Sequence, residues 1–335
     1  MLAAAILWWM YRGFLWEDVR QAFASDMSWQ WMLLSFPFGI MAQVFRALRW
    51  KQALAPLGEK PRLHTCINAI FISYASSLIV PRVGEMLRCG ILRRWEGTNF
   101  SRGIGTVVTE RVIDSILVML LALITVTCQI PLFMHFFSET GLSLRGFLGT
   151  FTTTGWLVTI LCSILILCMA AFLVWRLNFF SRTRDVLSDL RDGLFSVRHV
   201  QNPTLFVLYS IGIWASYYLH FYLTFYCFQY TAQLGAMAAL VAFVVGCFAV
   251  LVPTPNGAGP WHFAVKTVLV LYGVNQLDGA MFVLVVHTIQ TLLVAALGLY
   301  GVGALFLTKK VTKFPSPKTG TNANICYFCT GRNTL

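Results

Sequence analysis

Arg82, Glu85, Arg88, Glu110, Arg111 and Asp114 are six of the ten charged residues in residues 73–114, SYASSLIVPRVGEMLRCGILRRWEGTNFSRGIGTVVTERVID, in a chain that is otherwise largely apolar. Guanidiniums grouped with carboxylates can hold an anionic or zwitterionic group, lock helices together as ion pairs, or pass a proton. An ionised side chain at membrane depth costs about 2.5–3.5 kcal/mol on insertion scales, so these residues are expected to face a polar site inside a helical bundle. Pro81 and Gly84 break an apolar helix just before Glu85 and Arg88, and Glu110, Arg111 and Asp114 sit in the first turns of the next hydrophobic run. Residues 110 and 114 are four apart and share a face, with Arg111 on the adjoining surface. Unpaired burial would be prohibitive, so Arg111 is expected to pair with a carboxylate, Glu85 being the nearest choice.

Two more basic residues, Arg46 and Arg49 in RALRW, end the first full hydrophobic span three residues apart. They read equally as anchors snorkelling to the inner boundary or as lining of the polar site. A second break, LVPTPNGAGPWHF at residues 251–263, holds Pro253, Asn256, Gly257, Gly259 and His262. Its prolines cannot continue a helix, and its glycines admit close approach of another group. The expectation is that free amides there, at the positive end of the following helix, attract an anion, with His262 and Lys266 adding donors or charge; a tight interhelical corner is the competing reading. His220, in YYLHFYLTFY, reads as a histidine satisfied by a neighbouring carbonyl or hydroxyl.

The elements that position these residues follow from composition. Of 335 residues, 58% are hydrophobic and 11% charged, against about 25% charged in soluble domains, so the chain reads as an all-α, polytopic membrane bundle. Windows of about 20 apolar residues match a hydrocarbon core of roughly 30 Å. Full spans are expected at residues 29–50, 103–130, 155–176, 203–229, 232–252 and 281–307. Residues 65–80 and 263–273 are too short to cross and suggest two re-entrant or broken helices, one beside each proline-glycine break. Residues 187–197 carry leucines at helical spacing among arginines and read as an amphipathic helix on the inner leaflet or packed on the bundle.

The net charge of +12 does not point to nucleic acid, because the bases cluster at residues 46–62, 82–102, 176–198 and 309–332, as cytoplasmic loops do. Anionic headgroups are their expected partner. This places the protein in the cell (inner) membrane with a cytoplasmic C-terminus, and divides it into a transmembrane domain at 1–310 and a polar tail at 311–335. Nine cysteines make no disulfide framework, and Cys326 and Cys329 form one CxxC pair with no second pair, so neither a metal nor a cofactor is expected.

PRVGEMLR followed by GTVVTERVID, with RALRW upstream and VPTPNGAGPWHF downstream, resembles the flippase-like transmembrane region of lysylphosphatidylglycerol synthases over about residues 1–310. Pro81, Arg82, Gly84, Glu85 and Arg88 match the family's P-x-x-G-E-x-x-R. Glu110, Arg111 and Asp114 match its E-R-x-x-D, and Pro253, Gly257 and Gly259 its glycine-rich turn. Ser77 and Asn256 depart from the usual asparagine and glycine, a difference that bears on headgroup preference. The resemblance implies re-entrant segments around a polar cavity and movement of an aminoacylated or otherwise modified phospholipid between leaflets. The residues that follow Leu307 leave no room for the family's aminoacyl transferase domain.

The leading expectation is therefore a lipid translocator binding a membrane phospholipid, with catalytic residues absent. An embedded enzyme using Glu85, Glu110 or Asp114 as acid or base on a lipid phosphate or lipid-linked sugar is the alternative. A lipid-presenting subunit of a separate transferase is a third, and association with another copy of the chain is left open.

Overall fold

The computed structural model describes residues 2–12, 27–130 and 181–309. The span expected at 155–176 and the Cys326 and Cys329 pair lie outside the described residues. Within them the chain is 84% helical without strands, as a backbone that must satisfy its own polar groups in hydrocarbon requires.

The helices are α1 (Leu2–Tyr11), α2 (Trp29–Leu54), α3 (Leu63–Ser76), α4 (Val83–Glu96), α5 (Phe100–Cys128), α6 (Ser181–Phe195), α7 (Pro203–Tyr222), the single turn α8 (Gln229–Ala232), α9 (Gly235–Ala249), α10 (Pro260–Leu271) and α11 (Gln276–Leu307). Among the described residues three stretches are long and apolar enough to cross a membrane: Trp29–Leu57, Phe100–Cys128 and Gln276–Leu307. On α5, Val108, Val112, Ile116, Met119 and Leu123 recur every three or four residues and are all exposed, a stripe that only a hydrocarbon surround favours.

The first break makes a helical hairpin. Arg62 and Thr65 at the start of α3 bond Glu96 at the end of α4, so the two helices run antiparallel with their base at one level. At the other end Gly84 lies against Ser73, and a Cβ there would overlap the Ser73 carbonyl oxygen; only glycine lets the two backbones approach so closely. Arg62 also donates to the Lys309 carbonyl oxygen, which fixes the hairpin base beside the end of α11. Each 14-residue leg is about 21 Å long at 1.5 Å per residue, too short to cross.

The second break makes another hairpin, entering from the opposite end. The expected span at 232–252 is shorter than its hydropathy suggests: α9 has 15 residues, after which the chain turns through residues 250–259 and returns as α10. Trp261 packs on Gly246, and Tyr272, just past α10, donates to Gln129 at the end of α5. Its base is thus at the end where α5 finishes and α11 begins. Two apolar cores result. One surrounds Phe221, Phe225, Phe228 and Phe282 beside the second hairpin, and the other surrounds Trp50, Ile70, Leu92 and Leu305 beside the first.

α6 lies along α5, held by Asp189, which accepts from Arg102 at 2.9 Å and from Asn99 at 2.6 Å. Leu190 and Leu194 of the expected apolar stripe remain exposed, and Gly193 makes the close contact, its backbone lying against Gly105 of α5. His220 behaves as expected of a structural histidine: its Nδ1 hydrogen-bonds the Ser35 carbonyl oxygen at 2.8 Å.

The hairpin geometry makes a specific expectation. Gly84→Val should lower stability in detergent by about 1–3 kcal/mol through overpacking, whereas Gly90→Ala, whose Cβ would meet nothing within 4 Å, should leave the melting temperature level or slightly raised. Equal melting temperatures for Gly84→Val and wild type would contradict the close antiparallel packing.

Candidate functional site

Arg46 and Arg49 project from α2, Arg88 from α4, and Glu110 and Asp114 from α5 into one cluster. Asp114 is gripped by two arginines, with Arg46 Nη1 to Oδ2 at 2.6 Å and Arg49 Nη2 to Oδ1 at 2.7 Å. Glu110 accepts from Arg88 Nη2 at 2.7 Å, and Arg49 Nε stands 3.7 Å from its other oxygen. The Arg49 and Glu110 side chains are both 0% exposed. Arg46 and Arg49 are thus both buried and paired with carboxylates of α5.

Aromatic and hydroxyl groups complete the lining. The Arg88 guanidinium lies 4.5 Å from the centre of the Trp50 ring, and Trp50 in turn donates to Thr106 at 3.0 Å. Arg46 lies between Tyr74 and Tyr217, 5.9 and 6.0 Å from the ring centres. Arg49 donates to Ser210 of α7 at 3.3 Å. These contacts disperse charge where water is scarce, each cation–π pair contributing about 0.5–2 kcal/mol.

Three guanidiniums face two carboxylates in this buried set, so one positive charge is in excess among the described residues. Donors are left over as well: Arg46 Nε and Arg88 Nε and Nη1 are buried without a hydrogen-bond partner there. A buried cluster with surplus cation and unused donors is arranged to accept an anionic oxygen.

The expected pairing of Arg111 with Glu85 is present at 2.8 Å, and its partners are 43% and 35% exposed. Arg111 Nη1 also approaches Asp114 at 3.9 Å. This pair stands between the buried cluster and the outside. Around it the surface is apolar, with Met86, Leu87, Val108 and Val112 exposed. A half-exposed ion pair in an apolar surface suits an amphiphile, whose head finds charge while its tails stay in hydrocarbon.

Arg82 is separate from the buried set. It sits in the tip of the first hairpin with φ 66° and reaches across to donate to the Leu251 carbonyl oxygen of the second tip at 3.2 Å. Asn256, with φ 51°, lies in that second tip. Among the described residues these two are the non-glycine residues at positive φ, one in each tip. Such backbone costs roughly 1–3 kcal/mol and persists where surroundings over-determine it.

The 251–263 corner uses its donors internally. Gly257 N donates to the Thr254 carbonyl oxygen and Ala258 N to that of Pro255, while Gly259 N donates to His262 Nδ1 at 3.3 Å. Asn256 Nδ2 donates to Thr291 at 2.7 Å, and His287 hydrogen-bonds the Asn256 carbonyl oxygen at 3.1 Å. Asn256 thus ties the turn to α11, and His262, with its ring centre 4.4 Å from that of His287, packs beside that anchor. Pro81 and Ser77 shape the first tip, where the Ser77 hydroxyl donates back to the Ser73 carbonyl oxygen.

Tyr74, Tyr217, Trp50, Ser210, His287 and Thr291 were not singled out from sequence. The aromatics were hidden because a ring in an apolar run looks like hydrocarbon filler. For His287 and Thr291 a signal existed, since two polar residues four apart in the last span share one helix face.

The Arg88–Glu110 bond can be tested by a double-mutant cycle. Glu110→Gln leaves a buried guanidinium uncompensated and should destabilise the protein in detergent by about 3–5 kcal/mol. Adding Arg88→Met should restore much of that loss; strictly additive losses in thermal or urea unfolding would show that the two do not interact.

No curated protein and no solved structure matches this chain. The family described as the lysylphosphatidylglycerol synthase TM region matches residues 1–298. Spans, hairpins and the buried charge cluster are those of a membrane protein, and the chain belongs to the lysylphosphatidylglycerol synthase transmembrane-region family, whose name points to action on lipids.

Proposed function

We propose that this protein binds the headgroup of a phospholipid at the Arg111–Glu85 pair and carries it between leaflets, a flippase-like activity. The observation that carries the reading is a half-exposed ion pair in an apolar surface, whose Arg111 also approaches Asp114 of a buried cluster with one cation in excess among the described residues. A lipid phosphate would exchange Glu85 for itself on Arg111, and a cationic group on the same head, such as a lysyl amine, would take Glu85. Both partners of the broken pair are then recompensed, so opening it costs little. Acyl chains would remain among Met86, Val108 and Val112.

In this reading the two hairpins are re-entrant, dipping from opposite faces, and their contact at Arg82 and Leu251 closes the passage at mid-depth. The exposed bases Arg93, Arg94 and Lys309 favour, by the positive-inside rule, a cytoplasmic side for the first hairpin's base and the end of α11 in the cell membrane. Arrangement of two interrupted segments around one site is how membrane carriers gain alternating access.

Reconstituted vesicles with a headgroup-labelled phospholipid provide the test. Arg111→Ala combined with Glu85→Gln should slow leaflet exchange by about tenfold or more, the loss of charge-assisted bonds of about 1.5–3 kcal/mol. Unlabelled lysylphosphatidylglycerol should compete better than phosphatidylcholine. Both side chains are partly exposed, so folding should survive, and exchange equal to wild type would refute the site.

A further inference from the structure

A groove of about 360 Å³ runs on the outside of the first hairpin, between α4 and the end of α11, away from the buried charge cluster. Ile72, Leu87 and Ile91 line one side and Val302, Leu305 and Phe306 the other. Gly90 forms part of its floor, and a Cβ built there meets nothing within 4 Å, so the space above it is open. Trp95 makes the end wall, its Nε1 donating to the Leu305 carbonyl oxygen at 3.0 Å.

The only charged residue lining the groove is Arg94. Its guanidinium lies 5.4 Å from the Trp95 ring centre, and it has no ion pair among the described residues. Arg94 stands two residues before the end of α4, at the hairpin base, while Leu87 is two turns deeper, about 10 Å along the helix axis. The groove therefore descends from an unpaired cation at interface level into apolar surroundings. Its volume falls within the range of small-ligand pockets, about 300–1,000 Å³.

We infer that this groove is a binding site for an anionic phospholipid, with one acyl chain lying over Gly90 and the phosphate on Arg94. The charge at the lip selects the head, and the depth and apolarity of the floor select the chain. A water-soluble phosphate would gain nothing from the floor. The occupant committed to is a lipid of the leaflet at the hairpin base. The site is independent of the translocation reading, since none of its residues belongs to the buried cluster or to the Arg111–Glu85 pair.

Photolabelling of the full chain in vesicles tests this, using phosphatidylglycerol and phosphatidylcholine that each carry a diazirine in one acyl chain. With the phosphatidylglycerol probe, cross-links should map to residues 87–95 and 302–306. Arg94→Glu should reduce them by about fivefold or more, as expected for loss of one interfacial cation, and Arg94→Lys should retain most of them. Gly90→Leu puts a side chain into the groove from a position where its Cβ meets nothing within 4 Å, and should abolish labelling there while the melting temperature in lipid-free detergent holds. Equal labelling by both headgroups, or labelling unmoved by Arg94→Glu and Gly90→Leu, would overturn the assignment. So would a change in oligomeric state on Gly90→Leu with lipid cross-links intact, which would make the groove an interface between copies of the chain.

Discussion

Asp114 held between Arg46 and Arg49 is the interaction on which the rest of the structure depends. Two guanidiniums on α2 that met no carboxylate would be unsupportable at this depth, so α5 must present residue 114 to them at 2.6 and 2.7 Å. Four residues earlier, Glu110 on the same face holds Arg88, and through it the first hairpin. One face of α5 thus fastens α2 and the second leg of the first hairpin in a single layer of charge. Buried ion pairs gain little stability over apolar packing, but they penalise every arrangement that leaves a charge alone. Their effect here is to set the register of α2, α4 and α5.

A second constraint is that broken backbone at membrane depth must be satisfied by protein. Both tips meet it locally: Ser77 and its hydroxyl return to Ser73, while the residues 252–259 turn uses its own carbonyls and His262. Thr291, which anchors the second tip, lies at the middle of α11, and Ala75, just before the first tip, packs on Gly298 two turns further along. The tips consequently meet beside the middle of α11, where Arg82 reaches Leu251. Between the two apolar cores lies the buried charge layer of Arg46, Arg49, Arg88, Glu110 and Asp114.

Much of this was legible in the sequence because charge stands out against hydrocarbon. Pro81 and Gly84 marked the first tip, and Arg111 needed the partner that Glu85 supplies. The motifs PRVGEMLR and TERVID also carried the family. Residues 232–252 misled because hydropathy cannot register a reversal of direction: α9 and the turn after it are equally apolar whether the chain crosses or comes back. The partners of Arg46 and Arg49 lie 68 and 65 residues away, a separation at which spacing on one helix says nothing. At the 251–263 corner, prolines and glycines announced a turn, but whether its amides face inward or outward depends on His262 Nδ1 and on Asn256 reaching α11, which only the assembled fold decides.

The central claim, that two hairpins entering from opposite ends meet inside the bilayer, can be measured with nitroxide spin labels on Ile79→Cys and Val250→Cys in liposomes. Both positions are exposed and need no core rearrangement to carry a label. Relative collision rates with oxygen and with a water-soluble nickel complex should place both labels near the bilayer centre, and the doubly labelled protein should show strong dipolar broadening. Labels at headgroup level, or too far apart to broaden each other, would contradict the account.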